Sequence, residues 1–223
     1  MAEETWYDVD AYIGEKLLDG DPALDAVLKA NRAAGLPEID VSPAQGKFLN
    51  VIARLAGAKN ILEIGTLGGY STVWLARALP DGGKIVTLES VESHAEVARA
   101  NFAAAGVADK VDLRVGPALY SLPALQAEKQ VFDVIFIDAD KSNNLHYLRW
   151  ALQLSRAGAV IIVDNVVRQG RIIDEDDTSP EIEGTRRIFD FANEDKRWSA
   201  TALQTVGVKG WDGFAIGIVE DAP

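Results

Sequence analysis

The 223-residue sequence predicts an α/β fold: a mostly parallel sheet of seven strands, helices on both faces, and an antiparallel C-terminal hairpin at one end. Two observations carry this. From residue 60 onward, short apolar runs alternate with stretches of helical periodicity, and strands separated by helices imply βαβ units around a parallel sheet. Near the C-terminus, residues 207–213 join two further runs and leave no room for a crossover helix, so those strands must pair antiparallel.

The expected organisation is a single domain over 1–223, with a helical segment at 1–58 and the α/β core at 59–223. Asp21-Pro22 opens a helix in which Leu24, Val27 and Leu28 share a face, and Gly35-Leu36-Pro37 stops it. Ser42-Pro43 opens another, with Phe48, Leu49, Ile52 and Leu55 as its apolar stripe. The parallel strands are placed at 61–64, 84–88, 111–115, 131–137 and 159–163. Helices are expected at 70–79, 91–105, 118–128 and 143–154; in the second, Val91, Ala95, Ala98, Phe102 and Ala105 share one face. Ser179-Pro180 opens a last helix, and the hairpin strands follow at 200–206 and 214–219. Segment 168–179 is polar, acidic and aperiodic. It follows the fifth strand on the side where open α/β sheets bind ligands, so it reads as an active-site loop.

Composition narrows the function. Hydrophobic residues at 48% and charged residues at 25% are ordinary for a soluble protein. No stretch approaches the roughly 18 apolar residues of a membrane span, and the acidic start lacks a signal-peptide core. With no cysteine, disulfides, thiolate nucleophiles and zinc–sulfur sites are excluded, which fits a cytoplasmic protein. A net charge of −12, with no basic cluster beyond Arg186-Arg187, argues against nucleic acid as a partner, and the acidity otherwise reads as solubility.

Ile61-Leu62-Glu63-Ile64-Gly65-Thr66-Leu67-Gly68-Gly69-Tyr70-Ser71 reads as a strand, a glycine-rich turn and a helix start. Glu89 ends the next strand, where an acidic group can accept both ribose hydroxyls of an adenosine. Glu63, before the first glycine, would repel a pyrophosphate but could accept from an ammonium, directly or through water. The spacing also departs from G-x-G-x-x-G. Both details favour S-adenosylmethionine over a nicotinamide dinucleotide.

Val134-Ile135-Phe136-Ile137-Asp138-Ala139-Asp140-Lys141 and Ile161-Ile162-Val163-Asp164-Asn165 end neighbouring strands in charged clusters. Asp138, Asp164 and Asn165 can converge there, and three oxygen donors suit Mg²⁺, with Mn²⁺ or Ca²⁺ as alternatives. The competing reading is that both aspartates cap helices. His94 and His146 have no partners at ligand spacing and read as surface or packing residues. Tyr147, Trp150, Trp198 and Trp211 are candidates for a substrate pocket, with core packing as the competing reading for each.

Taken together, Val41-Ser42-Pro43, residues 63–71, Glu89, Gly116-Pro117-Ala118, residues 138–141 and Asp164-Asn165 resemble the cation-dependent O-methyltransferases of the caffeoyl-CoA and catechol type, in particular their bacterial members. The resemblance runs from about residue 15 to the C-terminus. It implies the Rossmann-like class I methyltransferase fold, a homodimer, and methyl transfer to a hydroxyl of a catechol-like or caffeoyl-type phenol. It implies that Val41, Glu63, Gly65, Thr66, Ser71, Glu89, Ala118 and Asp140 contact S-adenosylmethionine, that Asp138, Asp164 and Asn165 bind the metal, and that Lys141 is the general base. The alternatives are an NAD-dependent dehydrogenase, which leaves the two aspartate clusters unexplained, and a non-catalytic adenosine-ligand-binding protein.

Overall fold

The computed structural model describes residues 2–18 and 20–220, with only the backbone for residues 2–4; residues 1, 19 and 221–223 of the expected domain lie outside the described residues. Three helices come first: α1 (Ala2–Leu17), α2 (Pro22–Ala33) and α3 (Pro43–Leu55). The expected caps form. Asp21 accepts from the amides of Ala23 and Leu24, and Ser42 accepts from the amide of Gln45.

The remaining chain alternates β1 (Asn60–Ile64), α4 (Tyr70–Ala78), β2 (Lys84–Glu89), α5 (Glu92–Ala104), β3 (Val111–Val115), α6 (Ala118–Ala127), β4 (Phe132–Ile137), α7 (Asn144–Gln153), β5 (Ser155–Asp164), α8 (Pro180–Glu194), β6 (Trp198–Gly207) and β7 (Gly210–Val219). The sheet has seven strands in the order β3-β2-β1-β4-β5-β7-β6. β7 is antiparallel to both β5 and β6, and the other pairings are parallel. Apolar residues fill both faces. Leu62 and Ile64 pack toward Leu122, Leu148 and Ile188, whereas Ile61 packs toward Val73, Leu75 and Phe102. This two-sided burial explains why the central strands read as unbroken apolar runs. Among the described residues, no helix is long and apolar enough to cross a membrane.

Two boundaries differ from expectation. β5 starts at Ser155 rather than 159, because its first residue pairs with Phe132 before the register shifts. The hairpin strands are longer than expected and meet across Val208-Lys209, with Gly210 at φ +82°. β6 is an edge strand exposed from Ser199 to Val206, so no apolar alternation marks its extent.

Candidate active site

The strand order reverses between β1 and β4, and ligands of open α/β sheets bind outside the carboxyl ends of the strands at such a point. Register aligns the tips. Ile64 pairs with Leu88 on one side and Ile137 on the other, and Ile137 pairs with Val163. The next residues, Gly65, Glu89, Asp138 and Asp164, therefore stand in one row. A cleft of about 750 Å³ opens above that row.

Val41, Gly65, Thr66, Ser71, Glu89, Ala118 and Asp140, seven of the expected donor-binding residues, line this cleft, as do Asp138, Lys141 and Asn165. Glu63 and Asp164 do not. Glu63 has no solvent-exposed surface and lies behind the wall, where Ser71 Oγ donates to it at 2.6 Å, Thr87 Oγ1 at 2.7 Å, and Thr72 Oγ1 closes the set. Its reach toward a ligand runs through Ser71. Burial pushes its carboxyl up to about 7 despite these three donors.

The glycine-rich turn is tightly held. Gly65 sits at φ +100°, and a Cβ there would collide with the Asp138 carbonyl oxygen. Glu89 Oε2 accepts from the amides of Thr66 (3.3 Å) and Leu67 (2.7 Å), while its Oε1 accepts from Val91 (2.9 Å). Behind the turn, buried Asn31 donates to Asp40 and accepts from Asn101, which also donates to the Gly68 carbonyl. Asp40 lines the cleft, and burial raises its carboxyl above the usual range. None of these three polar residues was expected in the site. A lone Asn or Asp on a helix or in a loop carries no periodic signal.

At the other end of the row, Lys141 Nζ lies 2.8 Å from Asp138 Oδ1. Asp164 is buried; desolvation first, and then the neighbouring Asp138 charge, raise its carboxyl, while Lys141 and Gln45 lower it. Asn165 adopts φ +56°, a left-handed conformation that asparagine tolerates better than most residues. Among the described residues, no three His, Cys, Asp or Glu side chains cluster as metal ligands; Asn165, which follows Asp164, lines the cleft. Asp140 accepts from Tyr147 Oη at 2.5 Å and from Asn143 Nδ2 at 2.6 Å, which fixes it at the cleft wall.

Several expectations need correction. Of the four candidate aromatics, only Tyr147 lines the cleft. Trp198 is buried in the core, Trp150 packs against it, and Trp211 stacks beside Gly170, where the indole leaves no room for a Cβ. His94 is not merely a packing residue: it lines the cleft with Nδ1 3.6 Å from Glu89 Oε1. Val91 caps α5 at the cleft rather than joining its buried face. Of segment 168–179, only Arg168 reaches the cleft. The rest is tied to α8, where Arg186 donates to the carbonyls of Ile172 and Asp177, and Arg171 pairs with Asp177 and Glu181.

The chain as a whole matches known proteins. The chain is 53% identical to a catechol O-methyltransferase of Mycobacterium tuberculosis over 95% of each chain, and 48% identical to one of Niastella koreensis over 99% of this chain and 100% of that one. It superposes with a TM-score of 0.96 on an O-methyltransferase of Bacillus cereus solved in complex with SAH, at 54% identity, covering 97% of this chain and 99% of that one. The sequence profile of the O-methyltransferase family matches residues 17–209, which sets the dehydrogenase alternative aside. By sequence profile, by identity to whole relatives and by fold, this chain belongs to the O-methyltransferase family.

Proposed function

We propose that this protein transfers the methyl group of S-adenosylmethionine to a hydroxyl of a small catechol-like phenol, assisted by a divalent cation, Mg²⁺ first among the candidates. One observation carries the reading: the register that sets Asp138 beside Asp164, with Lys141 on Asp138, at one end of a cleft whose other end holds Gly65 and Glu89. The SAH complex of the Bacillus cereus relative supports the donor, and the two catechol O-methyltransferases support the acceptor class.

The donor set fits a hard cation. Two carboxylates and an amide oxygen are hard ligands, and the two acids meet a single ammonium. Burial, and then the Asp138 charge, raise the Asp164 carboxyl, and a dication would offset both. Asp138, Asp164 and Asn165 would hold it. When bound, the donor supplies an electrophilic methyl on sulfur and the cation a positive charge beside the acceptor hydroxyls.

The protein's own groups do the rest. Glu89, oriented by three backbone amides, is set to accept from ribose hydroxyls. Ser71, backed by Glu63, and Asp140, braced by Tyr147, present oxygens to the donor. Gly65 lets the turn lie against the β4 tip, so donor and acceptor sites share a wall. Lys141 Nζ receives the hydroxyl proton. To do so it must first be the neutral amine, its ammonium having given one proton to water; Asp138, which pairs with that ammonium, would then be free to help hold the cation. A single domain acting as a cytoplasmic homodimer completes this reading, supported by one continuous sheet, the family resemblance and the absence of cysteine.

Asp164→Ala and Lys141→Ala test it. Each should lower catechol methylation by about a hundredfold or more, while the rise in melting temperature with SAH survives in both. Full activity in excess EDTA would overturn the metal role. A wild-type protein that binds SAH but methylates no phenol would favour a non-catalytic binder.

A further inference from the structure

We infer that Arg168 selects acceptors that carry a carboxylate on the ring or its side chain in addition to vicinal hydroxyls. This rests on the methyl-transfer reading above and names the substrate class within it.

Arg168 lines the cleft three residues beyond Asn165, on the side of the Asp138 and Asp164 cluster and away from Glu89. The other cation there, Lys141, is engaged with Asp138. Arg168 lies within electrostatic reach of Glu181 at the start of α8, whose carboxylate pairs with Arg171. Among the described residues the Arg168 guanidinium forms no ion pair, and its Nε is buried without a hydrogen-bond partner. A buried, unsatisfied donor on an arginine costs free energy unless something in use satisfies it.

The backbone beneath it is built to hold this position. Arg168 and Gln169 both adopt positive φ, +55° and +56°. Asp212 Oδ1 on β7 accepts from the amides of Val167 (3.0 Å) and Arg168 (2.9 Å), and Val166 donates to the Gly213 carbonyl at 3.0 Å. Strained residues persist where their surroundings over-determine them, and such places cluster at ligand sites. A guanidinium fork matches a carboxylate in geometry and charge. In a chain of net charge −12, an unpaired cation inside the cleft gives an anionic acceptor a local attraction that the surface denies it.

Initial rates at saturating S-adenosylmethionine, with 3,4-dihydroxybenzoate and with catechol, test the inference in wild type, Arg168→Gln and Arg168→Lys. The ratio of kcat/KM for the benzoate over that for catechol should fall about ten- to hundredfold in the glutamine variant, through KM, and less in the lysine variant, which keeps the charge. In wild type, added salt should raise KM for the benzoate more than for catechol, a readout that needs no variant to fold. An unchanged ratio in Arg168→Gln, an equal loss on both acceptors, or identical salt dependence would overturn it. Wild type that binds SAH yet methylates neither acceptor would instead overturn the phenol-methylating reading.

Discussion

Glu63→Gln probes the buried carboxyl behind the glycine turn. Glu63 has lost its water, and burial pushes it from 4.5 to about 7; Asp138 adds to the rise, while Ser71, Thr72 and Thr87 oppose it. The folded value lies above the unfolded one. Between these pH values the folded chain keeps a proton that the unfolded chain has released, so stability falls as pH climbs. The contribution is complete below 4.5 and lost above about 7. At about 1.4 kcal/mol per unit, that interval is worth about 3 kcal/mol. Glutamine is neutral throughout and lacks this slope. It also keeps the hydrogen bonds. Ser71 donates to one carboxylate oxygen and the two threonines to the other, so an amide nitrogen at the Ser71 side can donate to the serine hydroxyl instead. Thermal unfolding of the ligand-free protein, followed by circular dichroism from pH 4.5 to 8.5, measures the effect. The stability gap between variant and wild type should widen in favour of the variant by about 3 kcal/mol across that range, or about 6–12 °C in Tm. Parallel curves would show that Glu63 does not take up its proton in this window and would refute the reasoning.

Three further outcomes follow from the same geometry. Gly65→Ala forces a Cβ into the Asp138 carbonyl at φ +100°, so the SAH-induced rise in Tm should vanish and stability should fall by about 1–3 kcal/mol. Asp212→Ala leaves the amides of Val167, Arg168 and Gly213 without their acceptor; urea unfolding should show a loss of about 1–3 kcal/mol, and acceptor KM should rise while calorimetry finds SAH affinity retained, since Asp212 does not line the donor end. Phe136→Ala empties a fully buried position in the middle of the sheet and should cost about 3–5 kcal/mol by the same urea assay.

What could be read from the sequence was what lies at strand tips. A parallel strand buried on both faces is an apolar run, so the first polar residue after it marks the rim of the sheet. Asp138 and Asp164 were visible for that reason, and register places them side by side. The caps at Asp21 and Ser42 were equally local. What escaped was polar and long-range. Asn31 and Asn101 meet across 70 positions, and their residue types promise only a solvated face. His94 looked idle because its neighbour Glu89 is on the preceding strand. The tryptophans left both readings open because large aromatics fill cores as readily as pockets; the core reading holds for Trp198, which is 2% exposed.

One device escaped for the same reason and occurs twice. The turns leaving β1 and β5 contain the non-glycine residues Leu67, Asn165, Arg168 and Gln169 at positive φ; Lys129 is the remaining example among the described residues. Each turn is pinned by a carboxylate from a different strand that accepts two consecutive amides: Glu89 takes Thr66 and Leu67, and Asp212 takes Val167 and Arg168. Left-handed backbone in a non-glycine residue is costly, and two charge-assisted bonds offset that cost at the moment of folding rather than at the moment of binding. Both turns are then set before a ligand arrives, one at the Glu89 end of the cleft and one at the Arg168 end, which the proposed function makes the donor and acceptor ends. By residue type alone, Glu89 and Asp212 are two acids among the 34 in an acidic chain. Strand pairing is what turns each into a clamp on the site.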